Sequence, residues 1–210
     1  MTHEQNKIIK AAQDLVRVNL GGEPTGHDFF HVERVVGLAR LLAEPYPEID
    51  HYVLVLSAWL HDIDDRKIVY HGAHVNVDEF MLLNHVDSHT AERVKDIIDN
   101  LSYSSSLKGK KETTLEGKIA QDADRLDAIG AIGIARAFAY GGNKGRLLVD
   151  PTHSTPATVD HFDEKLFKLE ALMNTPLAKK MAHERSAFMK QFIETFENEV
   201  KQSKSALPSE

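Results

Sequence analysis

The sequence predicts an all-α protein with roughly seven to nine helices. Apolar residues recur at helical spacing along most of the 210 residues, and no segment shows the alternation typical of a half-buried strand. There is neither an internal repeat nor a long low-complexity tract, and 42% apolar residues can supply a sizeable core. We therefore expect a single helical domain over residues 1–205, followed by a frayed tail at 206–210.

The first half of the chain contains four predicted helices. Residues 1–19 form an amphipathic helix, and a second helix carries an apolar stripe over 32–42 and ends before Pro45. The third helix, from His51 to about Asp64, is apolar almost all round, so it should be central in the fold. A fourth helix is predicted at Ser88–Leu101, with its apolar residues on one face.

The second half is predicted with less regular boundaries. Residues 114–139 form either one helix or two in near succession, and the glycine-rich segment 141–145 is predicted to be a flexible turn. Helices resume at about 160–173 and 176–201. Segment 102–113 is polar and is expected to be a loop, and two further segments carry no assignable pattern: 66–80 and 146–158.

Composition excludes several classes of function. The chain has no cysteine, which rules out disulfides, thiolate zinc sites and a cysteine nucleophile. Its net charge of −7 disfavours duplex nucleic acid as a partner. A helix that spans a bilayer needs about 20 apolar residues, and the longest apolar run of this chain, 53–60, is shorter. Because charges also run through the first helix, we expect a cytoplasmic protein without a membrane partner.

The adjacent pair His61–Asp62 lies at the polar end of the predicted central helix. Clustered carboxylates at the edge of a core repel one another and are costly to desolvate, and a divalent cation would offset both effects. Neighbouring helical positions are about 100° apart, so His61 and Asp62 can flank one ion. Asp65 lies one turn beyond Asp62 and is placed to reach a water on that ion. A solvated acidic cluster at a helix end is the alternative.

Other histidines add candidate ligands. His31 lies beside the apolar stripe of the second helix, where it is either a buried core residue or a ligand. Three pairs have a spacing that allows chelation on a helix: His27/His31, His71/His74 and His85/His89.

The segment 122–127 is a third polar cluster. Asp122 falls on the apolar stripe of its predicted helix, whereas Asp124 falls on a face of small residues. The two carboxylates therefore point in different directions, and only one is expected to be a ligand. Spacing alone does not decide between them, and an Asp–Arg surface network is the alternative.

Together these residues resemble the HD-domain metal-dependent phosphohydrolases. The resemblance covers about residues 25–140, and it is carried by Gly26-His27-Asp28-Phe29-Phe30-His31, by His61-Asp62 and by Ala123-Asp124-Arg125-Leu126 with the segment that follows. The chain looks closest to small bacterial HD hydrolases that resemble nucleotide pyrophosphohydrolases. The resemblance implies His31, His61, Asp62 and Asp124 as metal ligands, favours Asp124 over Asp122, and implies that Asp65 acts on the attacking water.

The resemblance implies an enzyme that releases phosphate or pyrophosphate from a nucleotide. Two imidazoles and two carboxylates suit one divalent ion such as Mn²⁺, Mg²⁺, Fe²⁺, Co²⁺ or Ni²⁺. Phosphoryl transfer also needs cations, for which the candidates are Lys67, Arg136 and Lys144. Two alternatives are a non-catalytic nucleotide sensor and a di-iron oxygenase of the same fold, in which His85 and His89 would bind a second metal. A homodimer is left open.

Overall fold

A computed structural model describes residues 1–21, 26, 28–64, 75–101, 113–150, 152 and 154–205. Within these ranges the chain forms nine α-helices, two 3₁₀ turns and no strand, which confirms the all-α prediction. The helices are α1 (His3–Leu20), α2 (Phe29–Ala43), α3 (His51–Leu60), α4 (Val77–Leu83), α5 (Ser88–Leu101), α6 (Leu115–Asp127), α7 (Gly130–Asn143), α8 (Asp160–Glu164) and α9 (Pro176–Ser205). None of the described helices is long and apolar enough to cross a membrane.

Helix α3 is the centre of the fold, as its apolar composition predicts. Every residue from Tyr52 to Leu60 is buried, and α3 packs against α1, α2, α5 and α6. The helix begins at Asp50, whose carboxylate accepts hydrogen bonds from the backbone N–H groups of Tyr52 and Val53. It ends at Leu60, earlier than the predicted Asp64, because His61 to Asp64 continue as turns. The His-Asp pair therefore lies just beyond the helix, at the edge of the core.

Helix α2 brings the two halves of the chain together. It packs against α3 on one side and against α6 on the other. His31 lies in the first turn of α2. His61 and Asp62 follow the end of α3, and Asp124 lies near the end of α6. The core thus holds three helix ends side by side.

The predicted helical region 114–139 is two helices. The break falls at Ala128 and Ile129, where Ile129 adopts an extended conformation with φ −128° and ψ 168°. Gly130 then begins α7 with φ +77°, a left-handed conformation that favours glycine. A Cβ atom on Gly130 would also lie only 3.0 Å from Cγ of Arg185 on α9. The change of direction between α6 and α7 therefore depends on this glycine.

Replacing Gly130 with alanine is expected to lower the free energy of unfolding by about 1–2 kcal/mol, since an L-residue is strained at this φ. Urea denaturation measures the loss. Gly142, in the last turn of α7, is the matched control, because among the described residues no atom apart from its chain neighbours and the nearby helix backbone lies within 4 Å of the Cβ that alanine would add there. Gly142→Ala should be neutral or stabilising by up to about 1 kcal/mol. Equal effects of the two changes would contradict the role given to Gly130.

Two sequence predictions in the C-terminal half are wrong. The glycine-rich segment 141–145 is not a turn throughout, because α7 continues to Asn143; Gly141 is buried, and a side chain there would overlap with that of Thr158. The predicted helix 160–173 is broken after Glu164, where Lys165 leaves the helical conformation. Two 3₁₀ turns follow, Leu166–Lys168 and Glu170–Leu172. The segment still buries its apolar side chains: Phe162, Leu166, Leu169 and Met173.

Candidate metal centre

His31 is fixed in the first turn of α2. The carboxylate of Asp28 caps this helix and accepts a hydrogen bond from the backbone N–H of His31 at 2.7 Å. The imidazole is fully buried, with its Nδ1 atom 2.7 Å from Oδ2 of Asp127. In the neutral ring this hydrogen bond places the proton on Nδ1, so the lone pair lies on Nε2. His31 thus presents a ligand atom towards the ends of α3 and α6.

His61 is oriented in a comparable way at the end of α3. Its Nδ1 atom lies 2.8 Å from the backbone oxygen of Ala58, which can only accept a hydrogen bond. The proton is therefore on Nδ1, and Nε2 carries the lone pair. Nε2 is buried and makes no hydrogen bond within the part of the chain that the structure describes. A buried nitrogen of this kind is best satisfied by a cation.

Two carboxylates complete the cluster. Asp62 lies between the rings, with one oxygen 3.4 Å from Nε2 of His31 and the other 3.4 Å from Nε2 of His61. Oδ1 of Asp124 lies 3.7 Å from the same nitrogen of His31 and 3.9 Å from that of His61. Four side chains from three separate segments therefore converge on one point.

The cluster has one accessible side. The side chains of His31, His61 and Asp62 are at most 10% exposed, whereas that of Asp124 is 30% exposed. Asp124 is therefore the most exposed member of the cluster, and the other three side chains are buried.

The donor set fits a divalent cation. Among the described residues, His31, His61 and Asp62 form a group whose potential ligand atoms all lie within 4.8 Å of one another. Imidazole nitrogens and carboxylate oxygens suit first-row divalent ions, and a positive charge would offset the repulsion between Asp62 and Asp124. The residues present are therefore suited to the metal site that the sequence predicts.

Asp122 and Asp124 have separate environments. Asp122 is fully buried and points to the start of α9, away from the histidines. Its carboxylate accepts four hydrogen bonds of 2.7–2.9 Å, from the backbone N–H groups of Asn174 and Thr175, the Asn174 amide and the Thr175 hydroxyl. Asp122 thus connects α6 to α9, and Asp124 is the carboxylate that faces the imidazoles.

Asp127 is a further buried carboxylate, which the sequence pattern did not single out as a site residue. Besides contacting His31, it accepts hydrogen bonds from Arg34 at 2.7 and 3.1 Å and from Arg136 at 2.8 Å. Burial alone would raise the pKa of Asp127, but these hydrogen bonds hold it well below the ordinary value. Asp127 lies one helical turn beyond Asp124, and this spacing is the signal that could have indicated it.

Asp127 also affects the charge of His31. Burial of the ring would lower the pKa of His31, yet the hydrogen bond with Asp127 and the nearby carboxylate of Asp62 raise it to about 9. The ring therefore binds a proton strongly, and a cation must compete with that proton for Nε2.

The other predicted residues differ in position. Arg136 is near the cluster, but its guanidinium is paired with Asp127. Lys144 is exposed at the end of α7, with its ammonium 5.6 Å from the ring centre of Tyr140. It lies eight residues beyond Arg136, or about 12 Å along the helix. Five predicted residues lie outside the described part of the chain: His27, Asp65, Lys67, His71 and His74.

His85 and His89 do not join the cluster. Both side chains are exposed, and His85 takes the left-handed conformation at the end of α4 with φ 52°. The N–H groups of His85 and Val86 bond to the oxygens of Leu82 and Met81, which is the pattern of a Schellman cap. The structure therefore gives His85 a role in ending a helix.

Comparisons with known proteins place the chain in a family. The sequence profile of the HD domain matches residues 28–129, which include all four converging side chains. The YpgQ protein of Bacillus subtilis is 38% identical over 201 residues, covering 92% of this chain and 96% of its own. The chain belongs to the HD domain family.

Solved structures extend the similarity to the fold. A protein from Lactobacillus plantarum has a TM-score of 0.82 at 36% identity and covers 96% of this chain and 99% of its own. An HD-superfamily hydrolase from Bacillus thuringiensis has a TM-score of 0.72 at 38% identity, with coverages of 94% and 98%. A crystal structure of YpgQ in complex with ADP has a TM-score of 0.73 at 33% identity, with coverages of 93% and 94%.

Proposed function

We propose that this HD domain protein is a divalent-metal-dependent phosphohydrolase that releases phosphate or pyrophosphate from a nucleotide. The observation that carries the proposal is the convergence of two imidazole nitrogens and two carboxylates at one accessible point. Two relatives add support: one is an HD-superfamily hydrolase, and YpgQ has been crystallised with ADP.

His31, His61, Asp62 and Asp124 would hold the cation. A divalent ion supplies a Lewis acid for a phosphoryl oxygen and lowers the pKa of a bound water. The substrate's phosphates would approach past Asp124, the most exposed member of the four. In this proposal Asp65 orients or deprotonates the attacking water.

The phosphates also carry negative charge that the protein must balance. Lys67 and Lys144 are the proposed phosphate-binding residues. Arg136 adds positive charge beside the cluster, although Asp127 already engages one of its Nη atoms.

Metal binding is expected to strengthen with pH. Because the pKa of His31 is raised to about 9, its ring is protonated at neutral pH and must lose that proton to become a ligand. The apparent Kd for Mn²⁺ should therefore fall about tenfold per pH unit between pH 6 and 8. Isothermal titration calorimetry at several pH values, in buffers of different ionisation enthalpy, measures both the slope and the proton released. A Kd that does not change with pH would contradict this competition.

The proposed activity is tested with a nucleotide panel. The protein is stripped of metal, reloaded with Mn²⁺ or Mg²⁺, and incubated with nucleoside mono-, di- and triphosphates of the ribo and deoxyribo series. Phosphate and pyrophosphate are resolved as separate products. We expect metal-dependent release of one of them from at least one nucleotide. Nucleotide binding without turnover, seen as thermal stabilisation with no product, would instead indicate a sensor and would contradict the enzyme proposal.

A further inference from the structure

We infer that Asp127 is a positioning residue that orients the His31 ring for metal binding. This inference rests on the proposed function, because it assumes that His31 binds the cation through Nε2. Asp127 does not join the four converging side chains. Its carboxylate contacts Nδ1 of His31, whereas Asp62 and Asp124 lie on the Nε2 side of the same ring.

The carboxylate of Asp127 is held rigidly. Oδ2 lies within hydrogen-bonding distance of three nitrogens: Nδ1 of His31 at 2.7 Å, Nη2 of Arg34 at 3.1 Å and Nη1 of Arg136 at 2.8 Å. Oδ1 accepts from Nε of Arg34 at 2.7 Å, so Arg34 binds both oxygens. The carboxylate cannot turn without breaking several of these bonds, and the imidazole that it contacts is therefore fixed in its plane.

The three partners of Asp127 come from two other helices. Arg34 lies one turn after His31 on α2, Arg136 lies on α7, and Asp127 itself is the last residue of α6. The side chain of Asp127 is only 2% exposed and that of His31 only 1%, so water screens the contact between them little. The arrangement connects the ring of His31 to the junction between α6 and α7.

Charge gives Asp127 a second effect on the same ring. A carboxylate that accepts from Nδ1–H makes the opposite nitrogen a stronger ligand. It also offsets part of the positive charge of Arg34 and Arg136, which otherwise would repel a cation beyond the ring more strongly. Both effects favour a cation on the Nε2 side of His31.

The test compares Mn²⁺ binding by wild-type protein and Asp127→Asn, measured by calorimetry without substrate. Asparagine keeps the size of the side chain but cannot accept from all of its present donors. We expect the Kd to rise about 10- to 100-fold. The control is Asp122→Asn on the same helix, whose carboxylate accepts hydrogen bonds from Asn174 and Thr175 just before α9, and its Kd should stay within about threefold of wild type. Unchanged affinity in Asp127→Asn would overturn the inference, whereas wild-type protein that binds no Mn²⁺ would overturn the proposed function instead.

A double variant distinguishes the effect of Asp127 on the orientation of the ring from its effect on charge. It also provides a test if the single variant does not fold. Asp127→Asn with Arg34→Gln removes one negative and one positive charge, so the net charge beside His31 is unchanged. If Asp127 orients the ring, the double variant should fold, by circular dichroism, and should still bind Mn²⁺ at least about tenfold more weakly than wild type. Recovery of wild-type affinity would show that charge alone matters and would overturn the positioning role. This variant decides the question even if Asp127→Asn does not fold.

Discussion

His61→Ala is expected to abolish Mn²⁺ binding and to lower the rate of nucleotide hydrolysis by at least about a thousandfold. In the proposed site the ring would contribute one of two nitrogen ligands, and the hydrogen bond from Nδ1 to Ala58 directs its Nε2 atom into the cluster. A metal ion contributes several kcal/mol to the stabilisation of a transition state, and about 4 kcal/mol corresponds to a thousandfold change in rate. Metal content by mass spectrometry and the rate with the best nucleotide measure the two losses together.

The control for this change is His85→Ala. His85 is exposed at the end of α4 and lies outside the converging group, so its removal should leave metal content and rate within about twofold of wild type. A thermal melt without metal establishes that both variants fold. Activity retained in His61→Ala, or metal lost from His85→Ala, would contradict the assignment of the site.

Removing Asp122 is expected to destabilise the protein by about 3 kcal/mol without weakening metal binding. Asp122→Ala leaves the N–H groups of Asn174 and Thr175 without the buried acceptor that they use, and each unsatisfied donor costs about 1–3 kcal/mol. Because the carboxylate faces away from the imidazoles, the Kd for Mn²⁺ should stay within about threefold of wild type. Urea denaturation without metal and calorimetry on the folded protein measure the two quantities.

Asp124→Ala is the reciprocal change, two residues along the same helix. Its side chain is 30% exposed and its nearest oxygen is 3.7 Å or more from the imidazole nitrogens, so removing it should leave the free energy of unfolding within about 1 kcal/mol of wild type. Metal affinity should fall at least about 100-fold, because a charged ligand is lost. The opposite pattern, with metal lost in Asp122→Ala and stability lost in Asp124→Ala, would show that the two roles are exchanged.

The arrangement of helices could largely be predicted from apolar periodicity. Helix α3 is apolar all round and is central, and the two-helix alternative for 114–139 matches α6 and α7. Apolar periodicity predicts one helix at 160–173, whereas the chain forms a short α-helix and two 3₁₀ turns. The two structures have similar patterns because both bury every third or fourth residue. The glycines at 141–145 predict a turn, but Gly141 is in a helix. A glycine is needed there because the backbone packs closely against Thr158, which lies 17 residues away in the chain.

The candidate site was harder to predict because its contacts join distant parts of the sequence. Spacing could place Asp122 and Asp124 on different faces of α6, but only the packing of α9 shows what Asp122 binds. Asp127 belongs to a polar cluster that the sequence makes evident. Its partners His31 and Arg34 are 96 and 93 residues away, and no local pattern connects them to it.

In the proposed site His31, His61, Asp62 and Asp124 together bind one divalent cation. Crystals of the protein grown with Mn²⁺, with data collected at the manganese absorption edge, test it most directly. We predict one anomalous peak among the Nε2 atoms of His31 and His61 and the carboxylates of Asp62 and Asp124, and no such peak in crystals of His61→Ala. A peak that does not contact these four side chains, or two peaks within the cluster, would contradict the claim.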